Sequence, residues 1–229
     1  MIVALLPMKA NSERVKGKNF KMFGEKPLYR WILDTLISID IIDHIVINTD
    51  ARNILEEDKV FRENTKLIIR DRPEEICGDL VSMNEIISDD INFIEAELYL
   101  MTHTTNPFLS ADSIEKSIEI FKNKSRNNKI DSLFTVNKIQ ERFYDKNSNP
   151  INHNPKVLSR TQDLEPWYKE NSNLYLFTQK SFNSTNARIG KKPFMLETED
   201  YESIDIDTPS DWDLAEILRK HYLSMGYIK

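Results

Sequence analysis

Cysteine is almost absent from this chain, with Cys77 the one example in 229 residues. A single cysteine excludes an internal disulfide and any cysteine-rich zinc site, and we interpret Cys77 as a bystander rather than a nucleophile. Long apolar runs are absent too, since the N-terminal apolar stretch is too short for a membrane span and lacks a cleavage pattern. We therefore expect a cytoplasmic protein with no membrane partner.

Glycine is scarce, with five in the whole chain. Neither Gly-x4-Gly-Lys-Ser/Thr nor Gly-x-Gly-x-x-Gly occurs, which excludes a P-loop and a dinucleotide-binding turn. An excess of positive charge is also absent, because 31 Lys and Arg against 37 Asp and Glu give a net charge of -6. This balance argues against a general nucleic-acid binder. The length suits one substantial domain, and we predict a single domain over residues 1–229.

What the chain does contain is an acidic segment near its C-terminus, ESIDIDTPSDWDLAE. The segment places Asp205 and Asp207 on one face of a short extended run, with Ile204 and Ile206 on the other face. Two carboxylates at that spacing can share one hard cation through oxygen ligands and leave positions for waters and substrate phosphates. The alternative interpretation is an acidic loop that caps a surface helix.

A helix is predicted directly after this acidic pair. Thr208 or Ser210 can serve as its N-cap, and Pro209 suits its first turn. Its apolar stripe is predicted to contain Trp212, Ala215, Ile217 and Leu218.

The second informative segment is the loop after the apolar residues 2–6, which have the composition of a buried parallel strand. This loop carries five cations with polar side chains between them: Lys9, Arg14, Lys16, Lys18 and Lys21, with Asn11, Ser12 and Asn19. Cations beyond the C-terminal end of a strand suit a polyphosphate, because open α/β sheets bind ligands there. A solvated basic loop is the alternative, but the loop and the acidic pair together are more specific than either alone.

The order of the segments predicts an α/β fold, a Rossmann-like, mostly parallel sheet with helices on both faces. Strands are predicted at residues 2–6, 44–50, 66–70, 98–102, 131–136 and 173–177, and helices at 27–39, 51–64, 82–94 and within 103–123. Right-handed crossovers would bring the loops after the first, third and fourth strands to one edge of the sheet.

The alternation of strands and helices is interrupted at residues 138–172, a stretch rich in Asn, Pro and charge. A loop of this length in a compact domain is either functional or packs on a partner. Its aromatic residues, which are costly to leave exposed, are Phe143, Tyr144, Trp167 and Tyr168. We predict a small β-rich arm, inserted in the domain, that builds a homodimer interface.

Five separate motifs, in order along nearly the whole chain, resemble those of one family. Pro7, Lys9, Ser12, Lys18 and Asn19 follow the pattern PAR-x-x-S-K-x-x-x-x-KN, and Arg72, Asp79 and Ser82 follow RP-x-x-x-x-x-D-x-x-S. THTTNPF stands where the family has LQPTSPL, QDLEPWYKENSNLYLF where it has QDLP-x-x-Y-x-ENGAIY, and SIDIDTPSD matches its metal motif. The family is that of the acylneuraminate cytidylyltransferases, or CMP-sialic acid synthetases, related to the CMP-Kdo synthetases.

The resemblance implies that the anomeric hydroxyl of an acidic 2-keto sugar attacks the α-phosphate of CTP and releases pyrophosphate. It implies Mg²⁺ on Asp205 and Asp207, and catalytic roles for Lys9, Arg14, Lys18 and the two aspartates. The nucleotide-binding residues that it implies are Pro7, Lys9, Asn11, Ser12, Lys18, Asn19, Arg72, Asp79 and Ser82. It places the acceptor among His103, Thr104, Thr105, Asn106, Arg160, Gln162, Tyr168 and Asn171, with Arg160 and Gln162 as candidates for its carboxylate.

The chain departs from the family pattern mostly where the acceptor is expected. Lys9 replaces an Arg and keeps its charge without its bidentate geometry. Glu13 replaces a Lys, with Arg14 one position on. The acceptor region differs by His103–Thr104 for Gln-Pro, Thr161 for Arg, and Ser172–Asn173 for Gly-Ala. A bacterial nonulosonic acid, such as legionaminic or pseudaminic acid, is therefore as good an expectation as N-acetylneuraminic acid.

Two other functions stay open from the sequence. The first is a GT-A glycosyltransferase, which would use an Asp-x-Asp pair to hold a metal against a nucleotide-sugar diphosphate. It predicts the acidic pair in mid-chain, whereas here the pair lies near the C-terminus. The second is a degenerate protein that binds CTP without turnover, which is suggested by Glu13 and His103.

Overall fold

The fold was obtained as a computed structural model, and the structure describes residues 1–226. A seven-stranded sheet forms its centre, with strands β1 Ile2–Leu5, β2 His44–Thr49, β3 Leu67–Asp71, β4 Leu98–Thr102, β5 Ser132–Ile139, β6 Trp167–Phe177 and β7 Pro193–Glu197. The helices are α1 Leu28–Ser38, α2 Arg52–Leu55, α3 Lys59–Glu63, α4 Met83–Phe93, α5 Ala111–Ser125, α6 Gln179–Thr185 and α7 Pro209–Met225. A two-stranded hairpin, Met22–Phe23 with Lys26–Pro27, precedes α1.

The strand order is β3-β2-β1-β4-β6-β5-β7. β6 is antiparallel to both of its neighbours, β4 and β5, whereas the remaining adjacent pairs are parallel. The predicted fold class, a mostly parallel α/β sheet, is confirmed. Six strands therefore run in one direction and carry the loops that follow β1, β3 and β4 to the same edge.

Helices pack on both faces of the sheet, and all four residues of β1 are therefore buried. Ala4 joins one apolar cluster with Leu36 of α1 and Ile118 of α5. Leu5 joins the opposite cluster with Ile87 of α4. A third cluster connects the hairpin and α7 through Phe23, Trp31, Phe108 and Trp212. This third cluster anchors the segment that carries the acidic pair.

Two predictions about helices were wrong. The helix expected at 51–64 is split into α2 and α3, because Asp58 leaves helical geometry to cap α3 and to accept hydrogen bonds from Tyr29 and Arg30. Ile217 was expected in the apolar stripe of α7 but is 67% exposed. The buried stripe instead contains Trp212, Ala215, Arg219 and Tyr222, which follow the helical spacing of three and four residues.

The segment 138–172 takes its regular structure from the central sheet. β6 begins at Trp167, six residues before the predicted start, and its first residues pair with the end of β5, from Val136↔Glu170 to Ile139↔Trp167. Between these ends lie an isolated bridge, Tyr144↔Pro150, and a single 3-10 turn, Thr161–Asp163. Of the single predicted domain, residues 227–229 lie outside the described part of the chain. No helix within residues 1–226 has the length and apolar character to cross a bilayer.

Candidate active site

A cavity of about 410 Å³ lies at the carboxyl edge of the parallel strands. The loops after β1, β3 and β4 form its walls together with the acidic segment before α7, which is the convergence that the topology predicts. Thirteen of the sequence-predicted site residues line it: Pro7, Lys9, Ser12, Arg14, Lys18, Asn19, Arg72, Asp79, His103, Thr104, Thr105, Asp205 and Asp207. The basic loop and the acidic pair therefore share one cavity, although Lys18 and Asp207 are 189 residues apart in the sequence.

Asp207 is held by two cations from the first loop. Its carboxylate lies 3.1 Å from the Lys18 amino group and 3.3 Å from the Arg14 guanidinium. Lys18 is almost completely buried, and its amino group also donates to the carbonyl oxygen of Ile206 at 2.5 Å. These contacts fix the acidic segment against the first loop and place a positive charge at the floor of the cavity.

Asp205 has a different environment from Asp207. Burial raises the pKa of the Asp205 carboxyl, a hydrogen bond with Thr105 opposes that rise, and the negative charge of Asp207 adds to it. Its Oδ1 atom is buried and has no hydrogen-bond partner in the described part of the chain. An unpartnered carboxylate oxygen beside a second carboxylate fits a divalent cation, which would satisfy it.

The donor set would leave such a cation open to substrate. No group of three or more His, Cys, Asp or Glu suited to a metal exists among residues 1–226. Mg²⁺ is commonly held by one or two carboxylates, with waters and substrate phosphates as its remaining ligands. Asp205 and Asp207 match that type of site, rather than an all-protein cage.

A second group of contacts orders the loop that bears Lys9. Lys9 forms an ion pair with Asp79, and this pair lowers the pKa of the Asp79 carboxyl. Asn19 donates to the Lys9 carbonyl at 2.8 Å and accepts from the Thr104 hydroxyl at 2.6 Å. Asn19 therefore connects the loops after β1 and β4, while Asp79 holds the Lys9 side chain.

Arg72 is oriented by residues that the sequence interpretation missed. It donates to the side-chain oxygen of Asn48 at 2.8 Å and to the Asn48 carbonyl at 2.9 Å. Asn48 in turn donates to Asp90 at 2.7 Å and to Asp89 at 3.2 Å. Burial raises the pKa of Asp90 to about 7. The sequence signal for this network was Asn48 itself, a polar residue at the end of an apolar strand.

His103 and Ser172 also line the cavity. Ser172 has φ 59, in the left-handed region, at the point where the register between β5 and β6 shifts. The resemblance places a family glycine at this position, and the backbone conformation explains why a glycine suits it. Arg188, which sequence reasoning also missed, lies 3.3 Å from the His103 ring.

Comparison with known proteins identifies the family of this chain. A family model described as Cytidylyltransferase matches residues 3–226. The chain belongs to this family. It is therefore a nucleotidyltransferase, as the sequence motifs predicted.

Two relatives and one solved structure illustrate the similarity of this cytidylyltransferase to known proteins. The chain is 27% identical over 230 residues to the CMP-N,N'-diacetyllegionaminic acid synthase of Legionella pneumophila, covering 95% of each protein. It is 23% identical to the pseudaminic acid cytidylyltransferase of Campylobacter jejuni, covering 95% of this chain and 96% of that protein. A CMP:2-keto-3-deoxy-manno-octonic acid synthetase complexed with CTP superposes with a TM-score of 0.67 at 12% identity, covering 96% of this chain and 98% of that one.

Three polar residues expected in the site of the cytidylyltransferase support the cavity from outside it. Ser82 caps α4 in a capping box with Glu85. Asn106 is fully buried and donates to the Ile204 carbonyl at 3.4 Å, in the acidic segment. Asn171 accepts from Thr135 at 2.7 Å and donates to a threonine of the loop after β7 at 2.9 Å. None of the three is part of the cavity wall in residues 1–226.

Four other expected residues lie at the surface of the cytidylyltransferase, away from the cavity wall. Asn11 is exposed at the tip of the first loop. Arg160 is exposed and pairs with Asp163 at 2.8 Å, and Gln162 is its exposed neighbour. Tyr168 is exposed on β6, opposite Lys138. The described chain thus brings both metal candidates together with the nucleotide candidates other than Asn11 and Ser82, but not with Arg160 and Gln162, which were expected to bind the acceptor carboxylate.

Proposed function

We propose that this cytidylyltransferase transfers CMP from CTP to the anomeric hydroxyl of an acidic 2-keto sugar and releases pyrophosphate, with Mg²⁺ as cofactor. The observation that carries the proposal is that Lys9, Lys18 and Arg72 share one cavity with Asp205 and Asp207. Cations suit the triphosphate, and the open pair of carboxylates suits a metal that also contacts phosphate. The family match favours cytidylyl transfer over the glycosyltransferase alternative.

In the proposed reaction, the anomeric oxygen forms a bond to the α-phosphorus as the bond to the bridging oxygen of the β-phosphate breaks. The hydroxyl proton passes to solvent, and pyrophosphate leaves with the electron pair of the broken bond. In-line displacement at phosphorus depends mainly on positioning and charge neutralisation. Lys9, Ser12 and Lys18 would hold the triphosphate, and Lys9 and Arg14 would neutralise the departing pyrophosphate. Mg²⁺ bound to Asp205 and Asp207 would polarise the α-phosphate.

The acceptor that we propose is a nonulosonic acid. The names of the Legionella and Campylobacter relatives refer to legionaminic and pseudaminic acids, both of this class. The acceptor side of the cavity carries His103 and Ser172, where the family pattern has Gln and Gly. We therefore expect a bacterial nonulosonic acid to be used at least as well as N-acetylneuraminic acid.

We also propose that the chain acts as a homodimer through the segment 138–172. The support is a group of exposed apolar side chains on and beside that segment: Tyr144, Ile151, Val157, Leu158, Trp167 and Tyr168. The most exposed member of the group is Leu158, at 92%. Analytical ultracentrifugation of the whole chain would test the dimer, and a monomer at micromolar concentration would contradict it.

The test of the function is pyrophosphate release with CTP and Mg²⁺ across a panel of sugar acids. The panel contains N-acetylneuraminic, legionaminic, pseudaminic, Kdn and Kdo acids, with ATP, GTP and UTP as nucleotide controls. CTP-dependent release with one acid would establish the reaction and name the acceptor. Binding of CTP without release for any acid would instead favour the degenerate CTP-binding protein.

A further inference from the structure

Arg188 lies behind the acceptor wall of the cavity, in the loop after α6. Its side chain is 19% exposed, and its guanidinium lies 3.7 Å from the centre of the Tyr175 ring. One end of the guanidinium is 3.4 Å from the Glu170 carboxylate, and the other is 3.3 Å from Nε2 of His103. Arg188 is therefore a largely buried cation in contact with a residue of the cavity wall.

This contact determines which nitrogen of His103 carries the proton. Arginine has only donors, so Nε2 of His103 must accept, and the hydrogen of the neutral imidazole must then lie on Nδ1. Burial, followed by the charge of Arg188, lowers the pKa of His103 to about 3, so the ring stays neutral. No protein acceptor for Nδ1 is present among residues 1–226. His103, which lines the cavity, thus has one N–H donor, on Nδ1, without an acceptor in the described chain.

The acceptor of the proposed reaction carries a carboxylate, which needs a donor and a positive charge. Of the cations that line the cavity, Lys9, Arg14 and Lys18 belong to the loop that faces the triphosphate and the acidic pair. The fourth, Arg72, donates to the side chain and the carbonyl of Asn48. Arg160, the cation expected from the sequence, is exposed and paired with Asp163. Among the remaining cations of the described chain, Arg188 is the one in contact with a lining residue on the acceptor side.

We infer that Arg188 is a positioning residue for acceptor recognition: it holds His103 as the Nδ1–H tautomer, which donates to the carboxylate of the sugar acid. This inference rests on the proposed function. Arg188 supplies the positive potential behind the imidazole, and Glu170 and Tyr175 hold the guanidinium in place. Arg188 and His103 together would take the place of a direct contact between an arginine and the carboxylate, because the neutral imidazole donates and the buried guanidinium supplies the positive charge.

The experiment compares steady-state kinetics of the wild-type chain, Arg188→Gln and Arg188→Lys. Each protein is assayed with the active sugar acid of the panel and with its carboxamide analogue, which has no charge. The matched control is Arg126→Gln, an exposed arginine at the end of α5. Stabilisation of each variant by CTP against thermal unfolding reports folding and nucleotide binding independently of the acceptor.

Arg188→Gln is expected to raise KM for the acid on the order of 10-fold or more, because a charge-assisted contact is lost, while KM for CTP is unchanged. Its preference for the acid over the carboxamide is expected to fall, and Arg188→Lys is expected to restore part of it, since lysine also only donates and keeps the charge. A purely structural role for Arg188 would not change the acid-to-carboxamide ratio.

Three outcomes would overturn the inference. An unchanged ratio in Arg188→Gln would do so with the proposed function intact. If the glutamine variant does not fold, an unchanged ratio in His103→Leu, which removes the N–H donor itself, would do the same. A rise in KM for the acid in Arg160→Gln but not in Arg188→Gln would show that Arg160, in the segment 138–172, binds the acceptor carboxylate instead. A wild-type chain that neither binds nor converts any sugar acid would overturn the proposed function and, with it, this inference.

Discussion

Asp205 and Asp207 are separated by one residue but differ in their surroundings. Asp207 is half-exposed and paired with Arg14 and Lys18, whereas Asp205 is mostly buried with an oxygen that lacks a partner. The spacing of the pair, and its match to a family motif, could be read from the sequence. The ion pairs of Asp207 could not be predicted, because their partners are about 190 residues away and are brought close only by the fold.

Removing the charge of Asp207 should reduce turnover without unfolding the chain. Asp207→Asn is expected to lower the rate of pyrophosphate release by orders of magnitude, because a ligand charge beside the reacting phosphate is lost. The measurement is kcat with CTP, Mg²⁺ and the active acid, together with thermal unfolding. Asp213→Asn, an exposed aspartate on α7, is the control. A near-normal rate in Asp207→Asn would refute the metal assignment.

Ser172 has a left-handed backbone that a glycine would adopt without strain. Ser172→Gly is expected to raise the free energy of unfolding by roughly 0.5–1 kcal/mol. Relief of the backbone strain stabilises the folded state, and the greater conformational entropy of glycine in the unfolded chain offsets part of this gain. Urea unfolding would measure the change. Ser125→Gly, near the end of α5, is the matched comparison and should lower stability. If both variants lost stability equally, backbone strain at Ser172 would not be supported.

At the scale of elements, the predictions succeeded where burial alone determines the pattern. β4 was predicted at its observed bounds because all five of its residues are buried, and Ser82 was predicted to begin the helix that it caps. The start of β6 at Trp167 was missed because its first four residues, two aromatic and then two charged, are all exposed and show no alternation of apolar and polar side chains. The break between α2 and α3 was missed because Asp58 is fixed by side chains of α1, not by its own neighbours.

The N-terminus of α7 connects a helix cap to the site. Thr208 caps the helix, and Asp211 accepts from the backbone N–H groups of Thr208 at 2.7 Å and Asp207 at 3.1 Å. Thr208→Ala is expected to lower the free energy of unfolding by about 1 kcal/mol and also to reduce kcat, because the cap orients the backbone of Asp207. Ser210→Ala, at the alternative cap, should change neither quantity, since Thr208 is the observed cap. If Thr208→Ala lost stability but kept full kcat, the helix cap would not be needed to orient Asp207 for catalysis.

At the scale of the whole molecule, Asp90 should contribute a pH dependence of stability. Its pKa is raised from its ordinary value to about 7 by burial, among Asn48, Asp89, Arg70 and Arg72. The unfolded chain therefore releases this proton near pH 4, whereas the folded chain keeps it until about pH 7. As pH rises through this window, the folded state loses stability, by up to on the order of 4 kcal/mol from this group.

Asp90→Asn should remove this contribution, because asparagine keeps the shape of the protonated acid. The measurement is urea unfolding of both proteins at pH 5 and pH 8. The stability of Asp90→Asn relative to wild type is expected to be higher at pH 8 than at pH 5. Parallel pH profiles would show that Asp90 does not titrate in this range.

The cavity carries as many acids as cations. Lys9, Arg14, Lys18 and Arg72 are matched there by Glu13, Asp79, Asp205 and Asp207, while His103 is neutral. The whole chain has a net charge of -6, so no long-range field draws a highly charged nucleotide towards the site. Long-range electrostatic attraction therefore adds little to the rate at which CTP associates, and lowering the ionic strength should not raise that rate.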